Sequence, residues 1–112
     1  MENIINNNKL IAEFMGLEIC FGDTTEPCVL STQEIGVWKP MKYHSSWDWL
    51  MPVVEKIQQI DENNFCVTID ENVCHIWSEN NVYDIETVSH TTLEAVYNSI
   101  VEFINWYNKN ID

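Results

Sequence analysis

Arginine is absent from this chain of 112 residues, and lysine occurs at only five positions. The 18 aspartate and glutamate residues therefore give a formal net charge of −13 at pH 7. Proteins that bind nucleic acids draw most of their affinity from lysine and arginine side chains that neutralise phosphates. We therefore expect no direct binding to DNA or RNA. Binding to an anionic membrane surface is disfavoured for the same reason.

Glycine and proline are scarce, with three of each, and no apolar run reaches the length that spans a bilayer. The sequence contains no flexible linker, so we predict a single domain over residues 1–112. Its first residues are MENIINNNKL, which have neither the basic start nor the apolar segment of a signal peptide. These absences predict a cytoplasmic protein without a membrane-spanning segment.

The motifs of common enzyme classes are missing as well. No glycine-rich phosphate loop, hydrolase nucleophile elbow, paired-histidine zinc motif or CxxC pair occurs. The four cysteines stand at positions 20, 28, 66 and 74, and we expect reduced thiols, with Cys66 and Cys74 acting as small buried hydrophobes. Cys74 and His75 are neighbours on a predicted strand and point to opposite faces, which disfavours a shared metal ion. We therefore predict no catalytic residue, no metal site and no cofactor.

A short helix is predicted near the start of the chain. Apolar residues recur at helical spacing between Leu10 and Met15, and Gly16 suits the left-handed conformation that often ends a helix. The asparagine run at residues 6–8 is interpreted as a flexible entry that caps this helix.

Two strands follow this helix. Residues 17–21 alternate between apolar and polar side chains, which is the pattern of a half-buried strand. Residues 22–32 are interpreted as an irregular loop. Residues 35–38 form a predicted second strand that Pro40 closes, and the two strands are expected to pair across the loop.

The second predicted helix starts after a cap at Ser45 or Ser46. Its apolar stripe consists of Leu50, Val53, Val54, Ile57 and Ile60. Pro52 costs little in a first turn but removes a hydrogen bond deeper in a helix. Two alternatives follow: the regular helix begins near Met51, or the turn from Trp47 is distorted.

The second half of the chain predicts a hairpin and a long helix. Residues 65–70 and 73–78 alternate as two strands around a turn, and residues 82–88 offer a short third strand. Thr91 and Glu94 match a capping box at the start of the last helix. Its apolar face consists of Val96, Tyr97, Ile100, Phe103, Ile104 and Tyr107. The order α-β-β-α-β-β-(β)-α predicts an α+β fold, a single layered domain with an antiparallel sheet packed by three helices.

Aromatic residues gather around the start of the second helix. The candidate binding surface consists of Trp38, Tyr43, His44, Trp47 and Trp49. Trp47 and Trp49 stand two positions apart on the helix, so one is expected in the core. The other either packs under the loop of residues 22–32 or stays partly exposed as a binding anchor. On the last helix, Trp106 lies beside the main apolar face and is interpreted as a mark of self-association.

Three blocks of the sequence carry a resemblance to a known family. The blocks LIAEFMG (10–16), YHSSWDWLMPVVEKI (43–57) and LEAVYNSIVEFINWYN (93–108) resemble small proteins of bacteriophages and Bacteroidetes-type chromosomes. That group is similar to what is described as the phage ABA sandwich domain. The resemblance implies a mobile-element setting and helix–sheet–helix layering. It supplies no catalytic residues to carry over.

Three functions are compatible with these patterns. The first is a non-enzymatic module that binds a protein partner or itself through the aromatic residues. The second is an acidic DNA mimic or counter-defence inhibitor, which would need its carboxylates clustered along one face. The third is a small-molecule binder or enzyme with a pocket lined by Trp38, Tyr43, Trp47 and Trp77.

Overall fold

The computed structural model describes residues 2–17, 19–20, 28–30, 38–60 and 64–110. Its elements, in chain order, are α1 (Glu2–Phe14), β1 (Ile19–Cys20), β2 (Cys28–Leu30), β3 (Trp38–Pro40), α2 (Trp47–Gln58), β4 (Phe65–Asp70), β5 (Val73–Ser78), β6 (Asp84–Val88) and α3 (Thr92–Asn110). Three helices combined with antiparallel sheets make the fold α+β, which confirms the predicted class.

The described strands form two antiparallel sheets of three strands. The first sheet has the order β1-β2-β3 and the second has the order β4-β5-β6. Strand β2 occupies residues 28–30, inside the segment predicted as an irregular loop, so that prediction is wrong there. Because β2 lies between β1 and β3, these two do not pair directly, contrary to the predicted ribbon. A strand of three residues is too short to show alternation in the sequence. Residues 35–37 of the predicted second strand lie outside the described residues.

Helix α1 is longer than predicted and includes the asparagine run. The run at residues 6–8 lies inside the helix instead of at its entry, because Asn8 is buried and hydrogen-bonded to other elements. Such tertiary contacts outweigh the modest helix propensity of asparagine. Gly16 has φ +73° and the Leu17 N–H donates to the Ala12 carbonyl at 3.0 Å, so the predicted helix end is confirmed.

Helix α2 is α-helical from Trp47 onwards, so it does not begin near Met51. Ser46 occupies the N-cap position with an extended backbone, but its side chain makes no capping hydrogen bond. The Leu50 N–H donates to the Ser46 carbonyl at 3.1 Å, which closes the first turn. Pro52 lies inside the helix, on the exposed side.

The second sheet and α3 follow the predictions closely. Strands β4 and β5 pair over their full length around a two-residue turn, in which Asn72 has φ +59°. Strand β6 pairs with β5 from Asp84 to Val88. At the start of α3, the Glu94 N–H donates to Thr91 Oγ1 at 3.1 Å, which confirms the predicted cap. The Glu94 carboxylate accepts a hydrogen bond from the Ser89 hydroxyl at 2.6 Å, whereas a capping box would direct it to the Thr91 N–H.

The core lies between the second sheet and the helices. We call the sheet face that contacts α3 the inner face; its side chains on β5 are buried, whereas the opposite, outer face is half-buried or exposed. Helix α3 also contacts α1 and α2, and α2 contacts β4. The described residues of the outer face are half-buried or exposed, and the helix–sheet–helix layering that the resemblance implies stays a prediction. None of the helices described is long and apolar enough to cross a membrane.

An aromatic cluster centred on Phe103 fills the core beneath the second sheet. The rings packed around it are Phe14, Phe65, Tyr83, Trp106 and Tyr107. Trp106 is only partly buried, but its ring lies 4.8 Å from Tyr83 and 5.9 Å from Phe65. The indole therefore closes one side of the core, and its predicted role as a self-association mark stays a prediction.

Candidate interaction surface on the second helix

The inner side of α2 is fixed by packing and by one charged contact. Leu50, Val53, Val54 and Ile57 are buried, as the predicted stripe requires, whereas its last member, Ile60, lies beyond the helix and is half-buried. The Lys56 ammonium donates a hydrogen bond to the Phe14 carbonyl, and it also lies 5.0 Å from the centroid of the Phe14 ring. A lysine that binds the last carbonyls of a neighbouring helix also complements its dipole. These contacts hold α2 against the end of α1 and determine which side of α2 faces outwards.

Tyr43 belongs to the core and not to the surface. Its side chain is only 2% exposed, and its ring meets Trp49 edge to face with centroids 5.0 Å apart. Burial raises the pKa of Tyr43 to about 12 because the phenolate would be poorly solvated there. Trp49 is half-buried and packs against the core. Of the two helix tryptophans, Trp49 is thus the core residue, and the predicted place of Tyr43 in a binding surface is wrong.

His44 is exposed, but one of its nitrogens is occupied. The Asn8 side-chain amide donates to His44 Nδ1 at 3.0 Å, and the Tyr97 hydroxyl donates to Asn8 Oδ1 at 3.0 Å. This chain of bonds joins α1, α3 and the turn before α2. Because Nδ1 acts as the acceptor, this assignment places the proton of the neutral ring on Nε2.

Trp47 and Met51 form the exposed apolar surface of α2. They are 38% and 39% exposed, and because they stand four positions apart on the helix, their side chains are neighbours on its surface. Asp48 and Glu55, both exposed, lie beside them. We call these four residues the Trp47–Met51 surface. The sequence prediction included Trp47 but missed Met51, although its spacing of four from Trp47, outside the buried stripe, was a usable signal.

The remaining aromatic residues lie elsewhere. Trp38 is in β3 of the first sheet, and its side chain is outside the described residues. Trp77 lies on the outer face of the second sheet, where its ring lies 4.7 Å from His75. Tyr43 is buried in the core, Trp47 is exposed on α2, and Trp77 lies on a strand of the second sheet. The pocket of the third functional hypothesis stays a prediction.

The outer face of the second sheet also carries the groups most similar to a catalytic pair. The His75 Nε2 and Asp84 Oδ1 atoms are hydrogen-bonded across neighbouring strands. Cys66 lies on the same face, so its predicted burial is wrong, whereas Cys74 on the inner face is buried as predicted. The Cys66 Sγ contacts the Asn64 carbonyl at 3.7 Å. This bond directs the thiol towards the backbone instead of the imidazole.

The carboxylates are spread over the described part of the chain. All ten whose side chains are described are exposed: Glu13, Asp48, Glu55, Asp70, Glu71, Glu79, Asp84, Glu86, Glu94 and Glu102. They occur on all three helices, on the outer face of the second sheet and in its turns. A DNA mimic requires its charges along one face, so the distribution of the described carboxylates gives no support to the DNA-mimic hypothesis.

The chain was compared with known proteins at three levels. It matches no protein-family model, no curated protein and no solved structure. The resemblance to the phage ABA sandwich group therefore stays a prediction.

Proposed function

We propose that this chain is a small acidic, non-enzymatic protein of the cytoplasm that binds a protein partner through the Trp47–Met51 surface. The observation that supports the proposal most strongly is the exposure of Trp47 and Met51 together on α2. The apolar residues of α2 therefore extend beyond the side of the helix that packs on the core. A phage or prophage setting, as the resemblance implies, belongs to the same proposal.

The types of residue at this surface favour a protein partner. Tryptophan is over-represented among the residues that dominate binding energy, and methionine adapts its shape to different partners. Aromatic residues and methionine are enriched at interfaces, whereas glutamate and lysine are depleted there. Trp47 and Met51 supply the apolar centre, and the helix beneath them is fixed by its buried stripe.

The charges around this centre indicate the chemistry of the partner. Asp48 and Glu55 flank the two apolar residues, and the chain as a whole carries a net charge of −13. Complementary charges speed association and exclude wrong partners. We therefore propose a partner surface with an apolar pocket surrounded by lysine or arginine side chains. The negative field disfavours a second copy of this chain, which would bring the same carboxylates together.

The test compares three purified, tagged forms of the chain in bacterial and phage-infected lysates. These are the native sequence, the double variant Trp47→Ser/Met51→Ser, and the control Val82→Ser, which alters an exposed side chain in the turn before β6. We expect the native chain and the control to retain the same protein, and the double variant to lose it. Circular dichroism melting establishes that all three are folded.

Two results would contradict the proposal. One is recovery of the same proteins by all three forms, which would place binding elsewhere. The other is that the native chain recovers no protein from either lysate. If sedimentation instead shows a dimer that the double variant abolishes, the surface serves self-association.

A further inference from the structure

Among the described strands, β6 lies at one edge of the second sheet. It pairs with β5 on one side, and no other described strand pairs with it on the opposite side. Val88 is 68% exposed, and Asp84 and Glu86 are exposed as well. An unpaired edge presents backbone donors and acceptors that can accept another strand.

The hydrogen-bond pattern shows which residues face this edge. The Ser78 N–H donates to the Tyr83 carbonyl at 2.9 Å, and the Ser89 N–H donates to the Asn72 carbonyl at 3.0 Å. In an antiparallel pair, every second residue exchanges hydrogen bonds with the partner strand. Residues 83, 85, 87 and 89 therefore bond towards β5. The N–H and carbonyl groups of Asp84, Glu86 and Val88 point to the open edge.

The side chains at this edge determine which strand can add to it. Asp84, Glu86 and Val88 alternate with the inward-facing residues, so all three side chains lie on the outer face. An added strand would place its own side chains directly beside two carboxylates and a valine. Cross-strand pairs of opposite charge stabilise a sheet, and like charges opposite one another destabilise it. A second copy of β6 would oppose carboxylate with carboxylate, whereas lysine or arginine side chains would complement them.

We propose that the β6 edge binds an extended, basic segment of a partner protein, which adds to the second sheet as a fourth antiparallel or parallel strand. The segment carries lysine or arginine opposite Asp84 and Glu86. The edge is a different surface from α2, so this site is independent of the proposed function and either can fail alone. Backbone hydrogen bonds supply affinity in this mode, and the alternating side chains supply specificity.

The first test uses synthetic peptides and the intact chain. The probe is a peptide of about eight alternating lysine and valine residues, long enough to span the edge. It is compared with the same peptide N-methylated at alternate residues and with a glutamate–valine peptide. Isothermal titration calorimetry at low salt is expected to show binding of the lysine peptide and none of the glutamate peptide. N-methylation of those alternate peptide residues whose backbone N–H groups face β6 is expected to weaken binding at least fivefold, since each lost hydrogen bond contributes about 1 kcal/mol.

The second test alters the edge without altering its charge. Val88→Pro removes one N–H that points away from β5, a position where proline is tolerated in sheets. Val88→Ala is the matched control because it shortens the same side chain and keeps the N–H. We expect Val88→Pro to weaken binding of the lysine peptide about fivefold relative to Val88→Ala, with equal melting temperatures.

Three outcomes would overturn this inference. The first is that the lysine peptide does not bind. The second is equal binding of the methylated and unmethylated peptides with no effect of Val88→Pro, which would show attraction by charge alone. The third is a dimer of the native chain that Val88→Pro dissociates, which would assign the edge to a second copy.

Discussion

At the scale of single residues, Asn8 shows how one side chain can connect three elements. It is 4% exposed within α1, accepts a hydrogen bond from Tyr97 of α3 and donates one to His44 before α2. A buried amide is costly unless its groups are paired, so removal of one partner leaves the other unsatisfied. The arrangement therefore determines how the turn before α2 lies on the two other helices.

Tyr97→Phe tests this connection and its dependence on pH. The variant removes the hydroxyl that donates to Asn8, so the free energy of unfolding near pH 8 is expected to fall by about 1–3 kcal/mol. Burial raises the pKa of Tyr97 from 10.0 to about 12. This part of the stability is therefore complete below about pH 10 and is lost as pH rises through about 12. The native chain should lose more stability between these values than Tyr97→Phe, which has no phenol to ionise.

The measurement is urea unfolding at about pH 8, pH 10 and pH 12, with Tyr107→Phe as the control on the same helix. If Tyr97→Phe and Tyr107→Phe gave the same stability at each pH, the hydrogen bond to Asn8 would have no special role. Sequence alone could not identify this bond. An asparagine run next to an apolar stripe is typical of a helix entry, and only the contact across 89 residues explains its burial.

At the scale of elements, local signals predicted those structures whose cause is local. The cap at Thr91, the left-handed Gly16 and the β4–β5 hairpin all depend on neighbouring residues, and the structure confirms each. Strand β2 and the full length of α1 depend on partners that are distant in sequence. Trp106 shows the same limit, because its side chain reaches a core that a helical pattern does not reveal.

Thr91→Ala tests the local origin of α3. The substitution removes the oxygen that accepts the Glu94 N–H, so the free energy of unfolding should fall by about 1 kcal/mol. Thr91→Ser keeps that oxygen and should retain nearly all of the stability. The measurement is urea unfolding followed by circular dichroism. Equal losses in the two variants would mean that the hydroxyl does not cap the helix.

At the scale of the whole molecule, the described chain twice passes from a helix to three antiparallel strands and then ends its elements with α3. The sequence predicts only part of this repeated order, because β2 has three residues and lies in a segment interpreted as a loop. The described residues leave two different surfaces uncovered, the Trp47–Met51 surface and the β6 edge of the second sheet. Both are flanked by carboxylates, as the two proposals of a basic protein partner require.

The candidate surface was only partly predictable from the sequence, because the burial of its residues depends on contacts with distant parts of the chain. The sequence indicates that aromatic residues gather before α2 and that one of Trp47 and Trp49 belongs to the core, but it does not show which one is exposed. It cannot show that Tyr43 is buried against Trp49, because that depends on the path of the chain before the helix. Met51 was missed because only the aromatic residues and His44 were considered for the surface, although Met51 lies outside the predicted stripe and four positions after Trp47.

The most direct test of the central claim is site-specific photocrosslinking from within the proposed surface. A photoreactive phenylalanine replaces Met51 in one form of the chain and Val82, which is 50% exposed, in another. After irradiation in lysate, the form labelled at position 51 should give one defined crosslinked protein that the form labelled at position 82 does not give. The same product from both positions, or none from position 51, would contradict a partner bound at the Trp47–Met51 surface.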